Sequence, residues 1–176
     1  GGGIISPTND RWEQAARDSS MVLMTGGTVG GLSARESGRI RMTGGQVNYL
    51  KAFNNAEVIV LGGEVSVYIE AWNDAKVRIV GGSCCGGGVT SSSTESMIVS
   101  GGSLTKLYEF GDPRTTPSYI VEGNDFTLDG APVDYGDYST GGVDMVLAGT
   151  WESGESFSTT VYATWFRLAP PTVSVP

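Results

Sequence analysis

Five aspartates crowd the C-terminal third of the chain: Asp125, Asp129, Asp134, Asp137 and Asp144. Oxygen ligands of this type suit Ca²⁺. Their spacing follows no regular period, which speaks against a calcium-binding repeat roll, and no metal site is assigned to them. Tyr135 and Tyr138 lie among them. An aromatic ring offers a flat apolar face to a sugar ring, while carboxylates accept hydrogen bonds from its hydroxyls. Asp134, Tyr135, Asp137 and Tyr138 are therefore the carbohydrate-binding candidates. The simpler reading of the same stretch is a solvated loop.

Little else in the chain offers chemistry. There is no histidine, which removes Ser-His-Asp and Cys-His catalysis and the commonest general base. Cys84 and Cys85 are adjacent; Cys84 reads as a small buried hydrophobe, with a vicinal disulfide or an intermolecular bond through Cys85 as the alternatives. Arg39, Arg41, Lys76 and Arg78 fall at outward positions and read as solvated charge. No nucleophile, acid or base is assignable, so no enzyme activity and no cofactor are expected. A polysaccharide-degrading enzyme is the least favoured reading, because fold alone does not imply activity.

The elements that must position these residues are announced by glycine. Gly-Gly pairs stand at Gly26-Gly27, Gly44-Gly45, Gly62-Gly63, Gly81-Gly82 and Gly101-Gly102, in steps of 18, 18, 19 and 20 residues. So short a period points to stacked coils. Four and two residues before each first glycine the chain is apolar: Val22 and Met24, Ile40 and Met42, Val58 and Val60, Val77 and Ile79, Met97 and Val99. Three residues after it come Val29, Val47, Val65, Cys84 and Leu104. Farther on lie Leu32, Leu50 and Leu107, with Tyr68 in the matching place. Alternation of this kind predicts strands with one buried face. The glycines turn one corner, since positive φ costs them little. Asp18-Ser19, Glu36-Ser37, Asn54-Asn55 and Asn73-Asp74 mark a second. The prediction is an all-β, single-domain parallel β-solenoid of about seven rungs, with a right-handed coil favoured. The sixth and seventh rungs rest on residues 119–126, with Phe126 in the Val29 column, and on residues 145–149.

Solenoid ends expose strand edges and need a cap or a partner. Asp10 and Glu13 fit a capping box, which predicts a short helix carrying Trp12, Ala15 and Ala16 over the first rung. Residues 1–17 thus form an extension and cap, 18–168 the solenoid, and 169–176 a Pro-rich extended tail. Residues 156–168 alternate and read as the last strand or strands. Gly1, Gly2, Gly3, Ile4, Ile5, Trp12, Val173 and Val175 are the candidate subunit contacts.

Eleven basic and nineteen acidic residues give a net charge of −8. That disfavours nucleic acid and anionic membranes as partners, and no apolar run is long enough to span a bilayer. The unit Asn54-x-x-x-Val58-x-Val60-x-Gly62-Gly63-x-Val65 and the segment Val121-x-Gly123-x-x-Phe126-x-Leu128-Asp129-Gly130 resemble the β-solenoid regions of secreted bacterial surface proteins. These are the PEP-CTERM-sorted and planctomycete-type extracellular proteins. Leu147-Ala148-Gly149-Thr150, with Gly154 beyond, resembles a further segment of that group; Tyr68 departs from its leucine position. The resemblance implies export and a cell-surface or matrix role. The expectation is an extracellular structural protein that self-associates through its ends, as a filament or matrix subunit. The alternative is a carbohydrate-binding surface adhesin with an extracellular polysaccharide as partner.

Overall fold

A computed structural model describes residues 3–4, 14–90, 97–110, 119–163 and 165–172. Within them the regular structure is all strand, with no helix. Two short strands, β1 (Gly3–Ile4) and β2 (Gln14–Ala16), come first. Complete coils follow. The first is β3 (Met21–Ala34) and the second β4 (Arg39–Phe53), each running unbroken past its glycine corner. The third is β5 (Glu57–Val60) with β6 (Glu64–Trp72). The fourth is β7 (Lys76–Ile79), β8 (Ser83–Cys84) and β9 (Gly87–Thr90). The fifth is β10 (Met97–Val99), β11 (Ser103–Leu104) and β12 (Lys106–Phe110).

Each coil presents three faces, and each face pairs in parallel with the coils above and below. On the first face Val22, Ile40, Val58, Val77 and Met97 stand in register. On the second, Val29, Val47, Val65, Cys84 and Leu104 do so. These residues are buried and form one continuous core. Each fully buried aliphatic side chain contributes roughly 1.5–3 kcal/mol, and only the stack buries them.

The corners are where the repeat requires them. Gly45 and Gly63 both have φ near +92°. A Cβ on Gly63 would stand 2.6 Å from the carbonyl oxygen of Gly45 one coil below. Both conformation and crowding therefore demand glycine. At the other corner Asp18, Glu36, Asn54 and Asn73 take φ of 53–60°, and the Asn73 amide donates to Asn54 Oδ1 at 2.9 Å.

The third face corrects one alignment. Ile69, not Tyr68, stands beside Leu50, while Tyr68 pairs with Tyr49 and faces outward. The third coil carries one extra residue after Val65, and the register shift between Val47 and Tyr49 absorbs it. The same residue explains why Ala71 lies one position late in its repeat.

The N-terminal end also departs from expectation. Gln14–Ala16 is a strand, not part of a helix, and pairs in parallel with Leu32, Ser33 and Ala34. The buried Ala16 joins the Ala34–Ala52–Ala71 row. Residues 9–13 of the expected cap lie outside the described residues.

The seven-rung expectation falls to about five full turns. β13 (Tyr119–Glu122) pairs in parallel with β10 and begins another coil. The chain then leaves the stack. β14 (Asn124–Leu128) makes a hairpin with β15 (Ala131–Pro132). Asp129 and Gly130 turn it with φ of 48° and 81°, the signature of a two-residue type I′ turn. β14 pairs antiparallel with β17 (Met145–Thr150). Phe126 is buried, yet it does not continue the Val29 column, and residues 145–149 form no parallel rung. β17 pairs antiparallel with β18 (Ser156–Tyr162). β18 rejoins the third face in parallel with β12, and β19 (Phe166–Ala169) rejoins the first face beside β13. β16 (Gly136–Tyr138) lies antiparallel on β19. Trp151 is buried where the second face is interrupted, stacked on Phe157 at 3.8 Å with its Nε1 donating to Gly102 O at 3.0 Å. Beyond β19, Thr172 donates to the buried Glu122 at 2.7 Å, and Arg78 reaches the same carboxylate at 3.2 Å.

Candidate functional site

The C-terminal candidates are parted by the strands around them. Asp137 and Tyr138 sit in β16, against β19. The Arg167 guanidinium grips Asp137 through Nε to Oδ1 at 2.6 Å and Nη2 to Oδ2 at 3.2 Å. That hydrogen bonding holds the Asp137 carboxyl below its ordinary range. The Tyr138 ring packs on Phe166 at 5.9 Å and its hydroxyl donates to Asp134 O at 2.8 Å. Tyr135 points elsewhere: it is half exposed, meets Phe126 edge-on at 6.1 Å and donates to Asn124 Oδ1 at 3.1 Å. With Asp134, Asp125 and Pro132 it lines an open hollow. The remaining aspartates are dispersed. Asp125 accepts from Thr150, Asp129 from the Val146 amide, and Asp144 pairs with Lys106. No group of three metal-ligating side chains converges among the described residues.

Of the candidate subunit contacts, Gly3 and Ile4 form β1, paired with Val22 and Leu23 of their own chain. Gly1, Gly2, Ile5, Trp12, Val173 and Val175 lie outside the described residues. Cys84 and Cys85 are free thiols, the first buried and the second exposed.

A denser grouping lies on the outside of the third face. Leu50, Ile69, Leu107 and Val161 point inward there, so their neighbours along each strand point out. Tyr49 and Tyr68 are stacked in register with ring centroids 4.8 Å apart. Lys51 lies 5.9 Å from one ring and 5.4 Å from the other, and 3.9 Å from Glu70. Glu70 also accepts from Trp72 Nε1 at 3.2 Å. Trp72 stacks near Phe53 at 6.1 Å, and Arg35 caps Phe53 at 4.6 Å.

No family model, curated protein or solved structure matches this chain.

Two coils on, the aromatic theme returns. Tyr108 stands in register with Tyr162 of β18. Lys106 lies 5.8 Å from the Tyr162 ring and binds both Asp144 oxygens at 2.8 and 2.9 Å. With Glu109 these residues line a hollow of about 510 Å³. The intervening coil carries Gly86, Gly87 and Gly88. A Cβ on Gly86 would stand 3.0 Å from Cε1 of Tyr108, so the ring lies against a glycine of that coil. Burial, and then the nearby Glu70 charge, push the Tyr108 phenol above its ordinary value.

Sequence reasoning passes over this face because it follows the inward columns. The signal is present one residue to either side: Tyr49 and Tyr68 precede, and Tyr108 follows, an inward aliphatic. Rings flanked by paired charges suit apolar stacking combined with hydrogen bonds, and the surface is open rather than enclosed.

Proposed function

We propose that this chain is an extracellular surface protein that binds carbohydrate on the third face of its solenoid. One observation carries the reading: aromatic side chains recur along that face in two in-register pairs, Tyr49 with Tyr68 and Tyr108 with Tyr162 two residues to the side, interleaved with donors and acceptors. Rings stack on the C–H faces of sugars, and Lys51, Glu70, Lys106 and Asp144 supply partners for hydroxyls. The resemblance to secreted surface proteins is the ground for export. The site of action moves from Tyr135 and Tyr138 to Tyr49, Tyr68, Tyr108 and Tyr162. Retention on a panel of immobilised polysaccharides tests it. Wild type should be retarded by at least one polymer, and the Tyr49→Ala/Tyr68→Ala variant should not. Passage of wild type through every member of the panel overturns the reading.

Self-association is the second reading, favoured by a difference between the ends. The last strands of the first and third faces are covered by the antiparallel β16 and β17, whereas β1 and β2 end the other side in parallel pairing. Assembly through that side would join two copies end to end and stop at a dimer, unlike an open filament. Sedimentation across a wide concentration range decides it, and a monomer throughout removes it.

A further inference from the structure

We infer that the ligand of the third face is an uncharged, linear polysaccharide lying along the solenoid axis; this rests on the carbohydrate reading and narrows it. Direction comes from register. Tyr49 and Tyr68 share one outward column and Tyr108 and Tyr162 the column two residues on; their coils succeed one another along the axis, with one glycine-bearing coil between Tyr68 and Tyr108. At ~4.8 Å per rung the four rings span about 19 Å. A single sugar covers two rings at most, so contact with all four needs an extended chain whose repeat follows the rungs.

Continuity comes from glycine. An ordinary outward side chain at Gly86 would hold the Tyr108 ring away, because even a Cβ there would crowd Cε1 at 3.0 Å. Glycine at this position leaves room for the ring to lie toward the coil that carries Tyr68.

Charge selects the class of polymer. Two cations and two carboxylates flank the rings, and each cation faces a carboxylate. Lys51 already pairs with Glu70, and Lys106 with Asp144. A polyanion would meet the carboxylates inside a protein of net charge −8, and a polycation would break the same pairs from the other side. A neutral, hydroxyl-rich chain can donate to the carboxylates and accept from the ammonium groups while leaving the pairs in place.

The test uses oligosaccharides of a neutral linear β-glucan graded from disaccharide to octasaccharide, with polygalacturonate and chitosan as charged comparators, read by calorimetry. Affinity should climb with length and level off at about five sugars, roughly one for each rung from Tyr49 to Tyr162. It should change little between ~0.05 and ~0.5 M salt, because no net charge is neutralised. Tyr108→Ala should weaken octasaccharide binding roughly tenfold while Tyr135→Ala leaves it unchanged. Gly86→Ala, which shifts the ring by a few tenths of an ångström without deleting it, should weaken octasaccharide binding less than Tyr108→Ala in a protein of unchanged circular dichroism. Preference for either charged polymer, strong salt dependence, or equal affinity for disaccharide and octasaccharide overturns the inference but leaves carbohydrate binding standing. Absence of binding to every sugar overturns both.

Discussion

Cys84 and Cys85 sit on the same strand end with opposite exposures. Cys84 stands in the inward Val29–Val47–Val65 column, and its Sγ donates to Gly86 O at 2.9 Å. Burial pushes its pKa from 9.0 to about 12, so near neutral pH it stays a protonated, inert thiol. A thiol reagent should therefore label the native protein once, at Cys85, and a second time only in denaturant; Cys85→Ser should abolish native labelling. Rapid double labelling would contradict the burial. The folded state holds the Cys84 proton more tightly than the unfolded chain does. Stability from this group is thus complete below the unfolded value of 9.0 and declines as pH rises from there toward about 12. Cys84→Val, which matches its column, should remove that part of the alkaline loss in melts recorded between pH 8 and pH 11. The inward place of Cys84 is legible from column spacing. The surroundings of Tyr108 are not, because they depend on which side chain leans over which neighbouring coil.

Corners carry the coil, and they make glycine indispensable in a graded way. Gly63 needs both positive φ and room, with φ at +92° and the Gly45 oxygen 2.6 Å from where a Cβ would be. Gly130 has φ of +81° but open space around it. Gly63→Ala should cost ~3 kcal/mol or more, combining strain with displacement of the adjacent coil, whereas Gly130→Ala should cost only the ~1–2 kcal/mol of the strained backbone. Chemical denaturation of both variants measures the difference, and equal losses would show that stacking adds nothing. These corners are legible in the sequence, because the Gly-Gly period marks each one. The strand at Gln14–Ala16 reads as helical when local capping residues are weighed without the frame. Ala16 precedes Asp18 by the same two residues that separate Ala34 from Glu36 and Ala52 from Asn54. Tertiary pairing overrides a local helix signal of that size.

At the scale of the molecule, pairing on both sides distinguishes the middle from the ends. β4, β5 and β7 each lie between parallel neighbours, while among the described residues the short β15 pairs only with β14 and β16 only with β19. Amide hydrogen exchange should be slowest in Arg39–Phe53 and Lys76–Ile79 and faster by orders of magnitude at Ala131 and in Gly136–Tyr138. Equal protection of β16 and β5 would place the stability elsewhere. The rung count is overstated by the sequence for a related reason. Alternation reports which side chains are buried, not whether the neighbouring strand runs with or against them. Residues 145–149 alternate as a rung does, yet pair antiparallel.

A body of this kind lengthens by copying. The coils between the two ends share their corner geometry, with positive φ at the same two places in each of the first three. The closing strands β16 and β17 touch only the last of the stack. Tandem duplication of one coil within the gene would leave both ends as they are. It would raise the stack by one rung, ~4.8 Å, and extend the aromatic strip by the same step. The length of the stack is then a matter of copy number, adjustable in whole increments without redesign of anything else.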